Sequence, residues 1–142
     1  MDYGVNLESK YPYKSVKKSC TVPDTTVENT QVVSAKAVTK RNHLALKSAI
    51  VKYGGISAGL NADNLQHYSS GIFGKSSDDC DLNVNHDTVI IGYGGTGQSM
   101  YWIVQNSWNK TWGESGYFRV WRSGGDDSGA CGIQTDVFYA SF

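Results

Sequence analysis

Cysteine is scarce in this chain: its three copies, Cys20, Cys80 and Cys131, stand far apart in 142 residues. No two of them form the close-spaced knuckle of a structural zinc, so a metal site is not expected. Proline is rarer still, with two copies, and there is no low-complexity linker and no internal repeat. Neither sign of charge prevails. Thirteen basic residues balance thirteen acidic ones for a formal net charge of +0, without a basic block, so neither nucleic acid nor a membrane surface is favoured as a partner. The apolar runs fall far short of the ~20 residues that cross a bilayer, and the opening "MDYGVNLESK" lacks the basic-then-apolar order of a signal peptide. An odd cysteine count, in a secreted protein, leaves one thiol whose partner is not on the chain.

What is present reads as one globular domain, long enough to bury about two thirds of the surface its unfolded form exposes. Sixteen Gly, nine Tyr and four Trp point to turn-rich β structure with bulky aromatic packing. Residues 1–30, with "YPY" at 11–13 and turn chemistry at Pro23-Asp24, form an irregular polar opening, and 31–142 a β-rich domain. "VVSAKAV" (32–38) sets Val33, Ala35 and Ala37 on one face at period two, as in a half-buried strand. One helix follows in "NHLALKSAIVKYGG", with Leu46, Ala49, Ile50 and Tyr53 at helical spacing, Asn42 as cap and Gly54-Gly55 as stop. "ISAGLN", "DTVIIGY", "MYWIVQNS", "GYFRVWR" and "DVFYASF" are short β-branched and aromatic runs between turn residues. Five or six strands plus one helix make an α+β domain whose sheet is barrel-like or a sandwich.

"GYGGTG" (92–97) matches the dinucleotide-binding glycine pattern, but a strand pattern and not a helix follows it. With no helix N-terminus to hold a pyrophosphate, the glycines are read as a hairpin turn, and no cofactor is expected.

The chemistry gathers around His86, at the mouth of "NHDTVIIGYG", and around "YWIVQNSWNKTWGESGYFRVWR". An imidazole that activates a thiol or hydroxyl must be held in one orientation by a third group at its other nitrogen. Asn106 can be that group, since it ends the strand that a hairpin pairs with the strand His86 begins. On spacing alone, a satisfied structural His–Asn pair is the commoner arrangement.

These two stretches, with "CGI" at 131–133 and "YPY", "GGISAGLNA" and "YSSGIF" in the same order, resemble the second half of papain-like cysteine peptidases over essentially the whole chain. The resemblance implies a papain-like fold represented by its β-rich right domain with one short helix, the helical left domain being absent. It implies a cysteine-type endopeptidase working through an acyl-thioester, with His86 as the base that pairs with a thiolate, Asn106 orienting its ring, and Trp108 covering that contact from water. Trp112 is read as a core aromatic. Cys80 and Cys131 match the family disulfide of this half, a closure that contributes about 4 kcal/mol in the chain-entropy model. Cys20 matches a cysteine whose partner lies in the other half. The family nucleophile sits roughly 130 residues before the histidine, and only 85 residues precede His86. The chain alone is therefore expected to be inactive, lacking both that cysteine and the glutamine of the oxyanion hole.

The resemblance also implies partners: a peptide or protein substrate, the complementary domain or chain carrying the catalytic cysteine, and a propeptide or protein inhibitor. It implies a lysosomal or secreted location. The substrate pocket would include Gly59, Asp87 and Asp136. Asp87 replaces a small residue, and together with Asp136 it would favour a basic side chain two residues before the scissile bond. Asn109 stands where the family usually has glycine and opens an Asn-Lys-Thr glycosylation sequon. The competing reading is a non-catalytic interaction module that keeps the peptidase β domain; the combination of His86, Asn106 and Trp108 favours the peptidase.

Overall fold

A computed structural model describes residues 4–14, 16–19, 27 and 30–142. Cys20 and the Pro23-Asp24 turn lie outside the described residues. The chain divides into two compact units, Met1–Ala35 with Ala140–Phe142, and Lys36–Tyr139.

In the first unit the described residues of the polar opening segment are tied by local bonds. Lys10 and Tyr11 donate their N–H groups to the Leu7 carbonyl, and Tyr13 N–H reaches the Glu8 carboxylate at 2.8 Å. Thr30 accepts from Val5 N–H and donates to the Val27 carbonyl, closing the segment on itself.

The second unit holds the α-helix expected from the sequence, α1 (His43–Tyr53). Its ends follow from local chemistry. Asn42 Oδ1 accepts from Ala45 N–H at 2.8 Å, and Gly54, at φ 80°, returns its N–H to the Ile50 carbonyl. Leu46, Ala49 and Ile50 are buried against β2 (Ile56–Leu60) and β4 (His86–Gly94), while Tyr53 stacks on Tyr139 at 4.0 Å.

The strands are β1 (Ser34–Ala37), β2, β3 (Ile72–Phe73), β4, β5 (Tyr101–Gln105), β6 (Tyr117–Trp121) and β7 (Val137–Ser141), in the order β1-β7-β2-β4-β5-β6-β3. A single seven-stranded sheet decides against the sandwich, and it contains one strand more than the upper sequence expectation. The extra strand, β3, has two residues and pairs in parallel with β6; so short a run carries no readable alternation. Along β4, Thr88 and Ile90 face the core while Asp87, Val89 and Ile91 are exposed, and Trp102, Val104, Phe118 and Val120 continue the buried layer through β5 and β6. The face shared by Val33, Ala35 and Ala37 is the exposed one, and the buried residue is Val38. Alternation separates two faces of an edge strand such as β1 without saying which is inward.

Of the glycines in 92–97, Gly92 and Gly94 lie within β4, and Gly95 and Gly97 turn the chain toward β5. A Cβ on Gly95, at φ 74°, would stand 1.9 Å from the Ser99 carbonyl oxygen, so only glycine closes the chain here.

Candidate active site

His86 opens β4 opposite Leu60 of β2, and Asn106 directly follows β5, β4's neighbour on the other side. Asn106 is fixed through its backbone, whose N–H donates to the Gly116 carbonyl at 3.0 Å. Across the gap its Oδ1 lies 2.9 Å from His86 Nε2. The backbone N–H of Ser107 donates to the same Oδ1 at 2.8 Å. A backbone N–H can only donate, so the atom it meets is the amide oxygen, and Nε2 of His86 must carry the proton. That assigns the tautomer: in the neutral ring, Nδ1 holds the lone pair. It has no hydrogen-bond partner among the described residues.

Trp108 completes this group, its ring 4.9 Å from the His86 ring and tilted by 35°. Behind it stands an aromatic relay. Trp112 meets Trp108 edge-on at 5.1 Å, Phe118 meets Trp112 at 5.6 Å, and Tyr68 contacts Trp112, Phe118 and Phe73. Trp112 is thus core-facing and also the surface on which Trp108 rests. The loop bearing both tryptophans is tethered by Glu114, which accepts from the Arg119 guanidinium and from Gly71 N–H at 3.1 Å. The paired guanidinium holds the Glu114 carboxyl below the usual carboxylate range, and burial pushes the Tyr68 hydroxyl up. Neither Ser107 nor Glu114 carried a signal in the sequence, because each acts through a partner fixed only by folding.

Gly59, Asp87 and Asp136 also come together. Gly59 pairs with Asp87 across β2–β4, and its N–H donates to the Asp136 carbonyl at 3.0 Å. A Cβ on Gly59 would lie 2.6 Å from Val84 Cγ1, 3.6 Å from Asp87 Oδ1 and 3.7 Å from Asp136 Cβ. Val84 therefore already occupies the room a side chain on Gly59 would need, beside two exposed acidic residues. A groove of about 470 Å³ runs from Asp87 past Val89 and Gln105 to Asn106 and Ser107.

Cys80 and Cys131 are joined in a disulfide, with Cα atoms 5.3 Å apart and a sequence separation of 51. Asn109 sits exposed one residue past Trp108. Cys20 lies outside the described residues.

The family model "Papain family cysteine protease" matches residues 1–141. Cysteine proteinase COT44 of Brassica napus is 39% identical over 142 residues, covering 96% of this chain and 41% of its own length. Among solved structures, the bromelain protease of Ananas comosus in complex with the E64 inhibitor superposes with TM-score 0.82 at 35% identity, over 98% of this chain and 63% of that one. Digestive procathepsin L 3 from Tenebrio molitor larval midgut gives TM-score 0.85 at 34% identity, over 99% and 45%. The chain thus spans less than half the length of the curated relatives it matches. The papain-like fold and its β-rich part, expected from the sequence, are what these likenesses show.

Proposed function

As this chain belongs to the papain family of cysteine proteases, we propose that it supplies the histidine and asparagine of a cysteine-peptidase active site whose nucleophilic thiol is carried outside these 142 residues. The observation that carries this reading is the His86–Asn106 contact at 2.9 Å, with Nε2 protonated and Nδ1 left open as a base.

In the proposed reaction Nδ1 takes the thiol proton, and the resulting thiolate adds to the carbonyl carbon of the scissile peptide. The imidazolium then gives its Nδ1 proton to the leaving amine as the C–N bond breaks, leaving a thioester. Water, deprotonated by Nδ1, attacks the thioester, the acid product leaves and the thiolate returns. Throughout, Asn106 Oδ1 accepts the Nε2 hydrogen and keeps the ring from turning. Trp108 shields that bond from water, which strengthens it.

Gly59, Asp87 and Asp136 are assigned to the pocket for the substrate side chain two residues before the scissile bond, where two carboxylates favour a lysine or arginine. The partners are a peptide or protein substrate and, by likeness to the E64 complex and the proform structure, an active-site inhibitor and a propeptide. The Cys80–Cys131 disulfide fits a lysosomal or secreted setting.

The test uses the full-length protein with a thiol-directed active-site label and a peptidase assay. The expected result is one labelled cysteine outside this chain, with label and activity both lost in His86→Ala. Peptidase activity that persists in His86→Ala overturns the assignment.

A further inference from the structure

The one Asn-X-Thr sequon of the sequence, Asn109-Lys110-Thr111, lies in the loop that carries Asn106 and Trp108. We propose that Asn109 bears an N-linked glycan at the rim of the His86 site. Three independent features support this. All three sequon residues are exposed. Asn109 adopts φ 75°, a left-handed conformation that asparagine enters more readily than other side chains. Its Oδ1 accepts from Lys110 N–H, and its Nδ2 has no partner among the described residues. Finally, the Cys80–Cys131 disulfide belongs to an oxidising compartment, the setting in which such sequons are modified.

The donor is a polyprenyl-diphosphate-linked oligosaccharide handled by an oligosaccharyltransferase. Asn109 Nδ2 forms a bond to the anomeric carbon of the first sugar. The bond from that carbon to the diphosphate oxygen breaks, the polyprenyl diphosphate leaves with the electron pair, and the amide gives up one proton. No oxidant or reductant is involved.

The position has a consequence that rests on the peptidase reading. Asn109 is three residues from Asn106, so the two Cα atoms are within about 11 Å of each other, and Asn109, Asn106 and Ser107 line one shallow pocket with Lys110, Ser115 and Tyr117. A glycan rooted there narrows the approach to His86 for folded proteins more than for short peptides.

The full-length protein, produced in a eukaryotic secretory host, is treated with peptide N-glycosidase and its intact mass recorded. The expected result is the loss of one core glycan, with conversion of Asn109 to aspartate. Thr111→Ala and Asn109→Gln should both remove the glycan, while Thr111→Ser retains it. An unchanged mass in the secreted, disulfide-bonded protein overturns the proposal, and this readout does not depend on activity. The ratio of folded-protein to short-peptide hydrolysis should rise severalfold in Thr111→Ala; a glycosylated protein whose ratio does not change overturns the steric consequence.

Discussion

Ser107 donates its backbone N–H to the Oδ1 of Asn106 that also faces His86, at 2.8 Å. This contact makes the side-chain amide a fixed acceptor: turning it over would set its NH₂ against a backbone donor. Asn106 Nδ2 is buried without a partner among the described residues, so the loop favours one orientation of the amide at the expense of one hydrogen bond unmade there.

Asn106→Ala should therefore lower kcat of the full-length protein by about 10²-fold with little change in KM, since in the proposed mechanism it frees a ring that acts in the transition state. Asn106→Asp, which keeps an acceptor for Nε2, should retain more activity than the alanine variant. Steady-state kinetics on a peptide substrate decide this; equal losses in the two variants would mean that the acceptor is not what matters.

Trp108 rests on Trp112, and Trp112 on Phe118 and Tyr68. Trp112→Leu removes the support while leaving Trp108 in the chain. It should cost about 2 kcal/mol of stability, less than truncating a fully buried aromatic to alanine, because Trp112 is only half-buried and leucine keeps part of the contact. It should also lower kcat several-fold, as the cover over His86 loosens. Denaturant unfolding and kinetics together test this, and lost stability with unchanged kcat would reduce Trp112 to a core residue.

Much of this arrangement was legible from residues whose signals are local. Asn42 and Gly54 mark the helix ends because capping is decided within a few residues, and the β-branched runs at 56–60, 86–94 and 117–121 announce their strands. Other features depend on distant partners. Glu114 meets Gly71 across 43 residues, and the two-residue β3 exists because β6 offers it a ladder. The direction of Val33 and Ala35 depends on what lies beneath an edge strand, which alternation does not encode. Ser107 acts through its main chain, so its side-chain identity gives no warning.

Gly59 stands beside Asp87 and Asp136, with Val84 packed where its Cβ would be. Peptides with arginine two residues before the scissile bond should be cleaved with kcat/KM about tenfold above their leucine counterparts, the worth of one modest charge pair. Asp87→Asn with Asp136→Asn should erase that advantage, and Gly59→Val, which must displace Val84, should raise KM for both peptides. A native preference for leucine would remove these carboxylates from substrate selection.

Cys80 and Cys131 close a loop with a sequence separation of 51. Replacing both by serine should lower stability by about 4 kcal/mol if the effect is mainly chain entropy in the unfolded state. Comparison of denaturant midpoints for the full-length protein and the double variant measures it. An unchanged midpoint would show that the rest of the fold already confines this loop.

The Glu114–Arg119 pair supports a pH prediction with a definite sign. Its hydrogen bonds from Arg119 hold the Glu114 carboxyl below its ordinary range in the folded state. Below the ordinary glutamate value of about 4.3 the unfolded chain therefore binds the proton more readily, and the pair's contribution to stability is lost as pH falls through the folded value. Glu114→Gln removes the titration and leaves Arg119 a neutral acceptor. The native protein should exceed this variant by about 1 kcal/mol at neutral pH, a figure kept small by partial exposure of both side chains. The gap should still be intact at pH 5 and close toward pH 3. Unfolding curves for both proteins across that range test it, and a gap that widens toward acid would reverse the assignment. Because the carboxyl stays ionised at mildly acidic pH, the tether from Glu114 to Gly71 holds there, and with it the loop that sets Trp108 over His86.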